Sequence, residues 1–228
     1  ILHTGIHGLS AVDNAVDGKI TECVTDAIPH TYGDKAVFFC RRGNGVFRKF
    51  LETGNVPSFI LWGPPGVGKT TLAKIVATEL KRPFFTLSAV TSGVKDVREV
   101  IESARKQHFF NTPPPILFID EIHRFNKSQQ DSLLGAVEQG VVTLVGATTE
   151  NPSFEVISPL LSRCQVYILK SLEDKDLQTL LDRALTTDTE LKARQVEVKQ
   201  TGALFKFSGG DARKLLNICL LYTSPSPR

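Results

Sequence analysis

No apolar run in the sequence approaches the 18 residues that a membrane-spanning helix needs, and no signal peptide is evident. The expectation is a protein with no membrane partner. Cysteine is scarce: Cys23, Cys40, Cys164 and Cys219 are scattered without C-x-x-C spacing. That pattern argues against a zinc site and fits a reducing cytoplasm. Neither sign of charge dominates. The 27 Lys and Arg against 24 Asp and Glu leave a net charge of +3, too small to imply a nucleic-acid partner unless basic residues cluster locally. No internal repeat is present. Residues 1–42 are hard to read, and 1–19, rich in Gly and His, predict no element because neither a helical nor a strand period is sustained. In other respects the chain is ordinary for a globular protein. Its 228 residues, 41% hydrophobic and 22% charged, suffice for one large or two small domains with a proper core. Opening on Ile1, it reads as a fragment.

Against that background one stretch organises the rest. Phe59-Ile-Leu-Trp62 reads as a buried strand, and Gly63-Pro64-Pro65-Gly66-Val67-Gly68-Lys69-Thr70-Thr71 follows it. A helix then starts at Lys69, with Leu72, Ile75, Val76 and Leu80 recurring at helical spacing. The loop fits G-x-x-x-x-G-K-[ST], a phosphate-binding P-loop. Gly63, Gly66 and Gly68 let backbone N–H groups approach phosphate oxygens that a Cβ would hold off. The helix start adds unpaired N–H donors and the positive end of its dipole. Lys69 can reach β- and γ-phosphates, and the Thr70 hydroxyl can ligate Mg²⁺. Residues Gly63 to Thr71 are therefore the expected cradle for ATP.

The remaining pattern is regular. Val37-Phe-Phe-Cys40 suits a short strand with no obvious partner, and Val46, Phe47, Phe50 and Leu51 suit a short helix closed by Gly54. Strand 58–62 and helix 69–81 lead to a strand over Pro83–Leu87. An amphipathic helix follows, with Val94, Val97, Val100, Ile101 and Ala104 on its apolar face. Beyond the breaker Asn111-Thr-Pro-Pro-Pro115, the spacing predicts a strand over Ile116–Ile119. Asn126 and Gln129 resemble a capping arrangement for a helix that carries Leu133, Leu134 and Val137 and ends at Gly140. Val141–Ala147 and Val166–Leu169 complete five strands. Short, nearly unbroken apolar strands separated by helices predict an α/β fold, a parallel sheet covered on both faces. After Ser171 strand signals cease. Helices around 172–185, 197–207 and 211–221 predict a small all-helical lid.

A P-loop needs a metal partner at the end of a neighbouring strand. Asp120, just past Ile116-Leu-Phe-Ile119, would hold the Mg²⁺ shell directly or through water. Glu121 beside it would polarise an attacking water as general base. An acidic pair can end a strand without any chemistry; its order after the P-loop is what ties it to phosphate.

These motifs together resemble those of AAA+ ATPases, which implies a five-stranded αβα sandwich followed by a helical lid. Val145-Gly-Ala-Thr148-Thr149 resembles the family's sensor 1, implying that Thr148, or as second choice Thr149, contacts the γ-phosphate or its water. Leu160-Leu-Ser162-Arg163-Cys164 resembles the S-R-C arginine finger of clamp-loader-type members. Arg163 would then complete a neighbouring subunit's site and stabilise transition-state charge. Gly209-Gly-Asp211-Ala-Arg213 resembles sensor 2, with Arg213 at the start of a lid helix. Either arginine alone would read as a surface ion-pair former; the ordered set carries the resemblance.

The likeness extends below the superfamily. Phe118-Ile-Asp-Glu-Ile-His123-Arg124-Phe125-Asn126-Lys127, Gln129-Gln-Asp131 and Val145-Gly-Ala-Thr-Thr-Glu150-Asn151-Pro152-Ser-Phe-Glu155 resemble the replication-associated recombination protein A family, over about 43 to 218. Its eukaryotic relatives are Werner helicase-interacting proteins. The resemblance implies DNA-stimulated ATP hydrolysis at stalled or gapped replication forks by a cytoplasmic, nucleoid-associated homo-oligomer. It also implies forked, gapped or single-stranded DNA as partner, single-stranded DNA-binding protein as a further one, and a C-terminal oligomerisation region beyond Arg228. A clamp-loader or Holliday-junction branch-migration subunit is the alternative, since the S-R-C setting is shared. A non-hydrolysing structural subunit is a third reading, opposed by the intact Lys69, Asp120 and Glu121. By the same resemblance DNA is expected at Lys95, Arg98, Arg124 and Lys127, although Asp96, Glu99 and Glu102 intervene and plain solvated charge is the alternative.

Two segments depart from the family pattern. Pro29-His-Thr-Tyr-Gly-Asp34 echoes the family's opening, but Lys35 to Arg42 does not match the turn that helps hold the adenine, and matching resumes at Gly43. A local reading-frame shift is expected there. Leu221-Tyr-Thr-Ser-Pro-Ser-Pro-Arg228 reads as translated adapter sequence. The expected organisation is a poorly matching segment at 1–42, an ATPase core at 43–170, a lid at 171–220 and a non-native tail at 221–228.

Overall fold

The computed structural model of the chain describes residues 27–29, 38–40, 53–108, 113–187, 198 and 201–223. Two short strands, β1 (Ala27–Pro29) and β2 (Phe38–Cys40), pair antiparallel, so the apolar run around Phe38 does have a partner. The helix expected over 46–51 lies outside the described residues. Gly54, expected to close it, has a left-handed φ of 67°.

The main body alternates strand and helix: β3 (Phe59–Trp62), α1 (Lys69–Glu79), β4 (Phe84–Ser88), α2 (Val94–His108), β5 (Ile116–Asp120), α3 (Lys127–Glu138), β6 (Thr143–Thr148) and β7 (Gln165–Ile168). Two single-turn helices, α4 (Pro152–Glu155) and α5 (Ser158–Leu161), join β6 to β7. The five strands β3 to β7 form one sheet in the order β4-β5-β6-β3-β7, and every pairing is parallel. Parallel strands need crossovers, which is why each apolar run is followed by a helix.

The period of two divides the core. Phe59, Leu61, Ile116, Phe118, Val145 and Ala147 face Leu72, Ala73 and Val76 of α1. Ile60, Leu117, Ile119 and Leu144 face the opposite way, onto Val97 and Ile101 of α2 and Leu133 and Ala136 of α3. Both faces are covered, so the strands need no polar positions. That makes an αβα sandwich, as expected. Observed boundaries of these strands and helices differ from the expected ones by one to two residues, the usual behaviour of element ends, whereas the lid helix expected over 197–207 begins only at Gly202.

The lid helices are α6 (Asp174–Thr187), α7 (Gly202–Ser208) and α8 (Ala212–Thr223). They share a separate core of Leu172, Leu177, Leu180, Leu181, Ala184, Phe205, Leu215 and Leu216. α8 runs to Thr223, three residues past the lid boundary expected at 220.

Candidate active site

The P-loop leaves the C-terminal end of β3, the strand that sits between β6 and β7. In open α/β sheets ligands collect at the carboxyl ends of strands where the strand order switches direction. Trp62 pairs with Thr148, and the Gly63 N–H continues the ladder by donating to the Thr148 carbonyl at 3.1 Å. The loop is thereby tied to the end of β6. Gly66 and Gly68 have φ of 74° and 93°, a left-handed region that residues with a Cβ avoid. A Cβ on Gly66 would also overlap the Asp211 carboxylate, so the lid rests directly on the loop.

Lys69 opens α1 and is 8% exposed. Its ammonium donates to the Gly63 carbonyl at 2.7 Å and the Pro64 carbonyl at 2.8 Å. Burial holds its pKa below the ordinary lysine value; Glu121 and Asp120 pull it back up, Arg213 pushes it down and Asp211 raises it. The five residues Lys69, Asp120, Glu121, Asp211 and Arg213 therefore share one electrostatic environment, although they come from three segments of the chain. This set fits a triphosphate with a divalent cation. A buried ammonium beside inward-turned glycine backbone suits the anion, and two carboxylates near it suit the metal. Thr70 follows Lys69 in the first turn of α1, where its hydroxyl would complete the metal's oxygen ligands. Val67 is buried and anchors the loop in the core below α1, while Pro64 and Pro65 stiffen its turn and Thr71 continues the helix.

Asp120 ends β5 opposite Ser88, and its carbonyl accepts from the Ala89 N–H at 3.0 Å. Glu121 then enters the left-handed region, with φ 55° and ψ 45°. For a residue with a Cβ that conformation costs about 1–2 kcal/mol, and such strain persists where surrounding contacts over-determine the backbone. Those contacts are visible. Ile122, in the 3-10 turn Ile122–Arg124, is fully buried against Gly146 of β6, where a Cβ would come within 3.1 Å of the isoleucine. At the far end of the turn, α3 begins with a complete capping box. Gln129 N–H donates to Asn126 Oδ1 and Asn126 N–H donates to Gln129 Oε1, both at 2.9 Å.

The Thr148 hydroxyl, expected as the sensor, is fully buried. It accepts the Glu150 N–H at 3.0 Å and donates to the Glu150 carbonyl at 3.1 Å, with His123 Nδ1 3.0 Å away. Thr149, the second choice, is partly exposed, and its Oγ1 lies 3.5 Å from Glu121 Oε2. Arg163 is elsewhere. It follows α5, pairs with Glu138 at the C-terminal end of α3 at 2.5 Å, and donates to the Pro159 carbonyl at 2.7 Å and Ser162 Oγ at 3.0 Å. Both members of the ion pair are about 40% exposed, at 40% and 42%. Arg213 lies in the first turn of α8, whose N-terminal end is capped by Asp211 Oδ1 accepting the Lys214 N–H at 3.0 Å. Lys95, Arg98, Arg124 and Lys127 are all exposed. The Gln129 side chain donates to the Ser92 carbonyl at 2.9 Å, which makes the starts of α2 and α3 neighbours and brings Lys95 and Lys127 to one end of the molecule.

Four partners escaped the sequence reading. His123 touches both Thr148 and Glu121. Gln130, 2% exposed, donates to the Phe125 and Glu155 carbonyls and accepts from Ile157 N–H. Glu138 holds Arg163, and Asp211 sits on Gly66. Each is a contact between segments remote in sequence. Only Gln130 carried a signal, an amide at an inward position of an amphipathic helix. Among the described residues, no group of three or more His, Cys, Asp and Glu is arranged to hold a metal without help from a ligand. None of their helices is long and apolar enough to cross a membrane.

Comparison with known proteins agrees with this geometry. Residues 59–172, half of the chain, match the ATPase family associated with various cellular activities (AAA). The chain is 48% identical over 178 residues to ATPase WRNIP1 of Dictyostelium discoideum, covering 77% of this chain and 20% of that protein. It is 49% identical over 170 residues to replication-associated recombination protein A of Escherichia coli K12, covering 73% and 38%. Among solved structures, the Thermotoga maritima RuvB Holliday junction branch migration motor superposes with a TM-score of 0.61 at 32% identity, over 76% of this chain and 57% of that one. The chain spans well under half the length of these two sequence relatives. With a P-loop at the sheet's switch point, an acidic strand end beside it and a helical lid resting on it, the chain belongs to the AAA family of ATPases, in the group of replication-associated recombination protein A and WRNIP1.

Proposed function

We propose that this chain is the ATP-hydrolysing core of an oligomeric machine that acts on DNA during replication-associated recombination. The observation that carries the reading is the buried Lys69 ammonium, electrostatically coupled to Glu121, Asp120 and Arg213 at the mouth of the P-loop. The names of the relatives, ATPase WRNIP1 and replication-associated recombination protein A, supply the biological setting.

ATP is the substrate. Backbone N–H groups of Gly66 to Thr71 would receive its phosphates, and Lys69 would exchange its two carbonyl partners for β- and γ-phosphate oxygens. Mg²⁺ held by Thr70 and Asp120 would neutralise charge on those oxygens. Glu121 orients and deprotonates the attacking water, with its carboxylate 3.5 Å from the Thr149 hydroxyl. Partial exposure beside Glu121 favours Thr149 over Thr148 as the hydroxyl that meets that water. Arg213 reports phosphate to the lid, because Asp211 on the same helix end packs on Gly66. Arg163, with its outward-facing pair to Glu138, serves a neighbouring subunit's site, which makes assembly a condition for full turnover. Forked, gapped or single-stranded DNA is proposed to run past Lys95, Arg98, Arg124 and Lys127, with single-stranded DNA-binding protein as a partner at the same forks. A branch-migration motor remains the second reading, favoured by the likeness to RuvB.

The test compares two variants. K69A should lose nucleotide binding and turnover together, since it removes the cation that faces the phosphates. E121Q should bind ATP normally and lose turnover by about 10²–10⁴, the contribution of a positioned base. Steady-state hydrolysis by E121Q within a few-fold of wild type would remove Glu121 from its role.

A further inference from the structure

The ends of β5 and β6 meet at one imidazole. His123 lies two residues after Glu121, in the 3-10 turn, with its side chain only 12% exposed. Its Nδ1 is 3.0 Å from Thr148 Oγ1 and 3.4 Å from Glu121 Oε2. The carboxylate decides which partner donates. A ring lone pair facing Glu121 Oε2 would be repelled, so Nδ1 carries a hydrogen and donates to Thr148 Oγ1. The threonine accommodates this, because its single hydrogen has the Glu150 carbonyl as an acceptor at 3.1 Å. One N–H is thus shared between a buried hydroxyl and the carboxylate assigned as the base.

Glu121 has need of such a holder. Its backbone is in the left-handed region, its carboxylate is 30% exposed, and its contact with Thr149 Oγ1 is long at 3.5 Å. A carboxylate with those contacts alone would sample several rotamers, few of them aimed at a γ-phosphate. Thr148 offers the opposite: it is fully buried, in the sheet, and pinned by two bonds to Glu150. A hydrogen bond from His123 to Thr148 turns the imidazole into a strut between the rigid strand end and the mobile acid.

We propose that His123 is a positioning residue for Glu121, anchored to β6 through the Thr148 hydroxyl and aligning the base without touching substrate. The inference rests on Glu121 being the base. It gives Thr148 a second duty, as the anchor of the strut, and accounts for its complete burial.

The experiment measures kcat, KM and the affinity for a fluorescent ATP analogue in the full chain for H123A, H123N, H123Q, T148V and the double variant H123A/T148V. Asn places a side-chain amide near the position of Nδ1, whereas Gln reaches toward Nε2. H123A should lower kcat about 10- to 100-fold, the scale of a misaligned catalytic group, with KM and analogue affinity unchanged. H123N should recover most of kcat and H123Q little. T148V, which keeps the branched shape and removes the hydroxyl, should match H123A, and the double variant should be no worse than either. Normal kcat in H123A, equal losses in H123N and H123Q, or losses that multiply in the double variant would each overturn the proposal. A purely structural histidine would move melting temperature and analogue affinity rather than kcat alone. Should H123A melt below the assay temperature, the comparison of H123N with H123Q decides. E121Q, run alongside, separates the two levels: turnover retained there removes the base, whereas an inactive E121Q with a normal H123A removes only the strut.

Discussion

Gln130 links the turn after β5 to the segment that leads to Arg163, and replacing it by leucine would expose what that link contributes. The side chain is 2% exposed and makes three hydrogen bonds. Nε2 donates to the Phe125 carbonyl at 2.9 Å and the Glu155 carbonyl at 3.0 Å, and Oε1 accepts the Ile157 N–H at 2.9 Å. Leucine fills nearly the same volume, so Q130L leaves three backbone groups without partners and opens little cavity. An unsatisfied buried backbone group costs about 1–3 kcal/mol. The Phe125 carbonyl bond is fully buried and belongs at the upper part of that range, while the other two are partly buried and water can reach them. The expected loss is about 3 kcal/mol after a small gain from the apolar side chain. In a chain of this size that lowers Tm by about 6–12 °C. Urea unfolding should show a lower midpoint with an unchanged slope, because the surface exposed on unfolding is the same. A loss under about 1 kcal/mol would refute the reasoning, since it would mean that the loops at 125 and 155–157 find other partners. ATP turnover should fall as well, because the turn carrying Glu121 and His123 ends at Phe125.

Other outcomes follow from the same geometry. R163A should change stability by less than about 0.5 kcal/mol, because the Glu138 pair is well exposed, leave ATP affinity nearly intact and cut turnover by about 10³. Mixing R163A with E121Q should restore some activity, and its strict absence in confirmed mixed oligomers would place the finger in cis. Replacing Arg124 and Lys127 together should reduce the salt dependence of DNA affinity by about two units of slope if each neutralises one phosphate; an unchanged slope by fluorescence anisotropy puts the DNA elsewhere. Burial pushes the Cys164 thiol up to about 12, well above its unfolded value. Above about pH 8.5 the unfolded chain releases that proton while the folded chain retains it, so the contribution is complete below that pH and is lost as pH rises toward 12. C164A should flatten the alkaline limb of a stability-against-pH curve, and an unaltered limb would show the thiol is not responsible.

The local chemistry of this chain could be read without coordinates because it is carried by neighbours in sequence. The P-loop glycines dictate their own left-handed turns at Gly66 and Gly68, the capping box at Asn126 needs only Gln129, and unbroken apolar runs from Phe59 to Ile168 can be satisfied only by a parallel sheet covered on both sides. Element order and fold class follow from such short-range rules. What tertiary structure alone decided is which remote groups meet. The partner of the strand around Phe38 is Ala27–Pro29, the arginine of the S-R-C stretch faces Glu138, and the lid's Asp211 rests on Gly66. The sequence put Thr148 first and Thr149 second as sensor, but it could not say where the two hydroxyls at the end of β6 point. Adjacent positions at a strand end point to opposite sides, and the fold turned Thr148 into the interior toward His123 and Thr149 toward Glu121. The same fold seats the buried Ile122 of the turn after β5 against Gly146 of β6, a contact that no local pattern encodes.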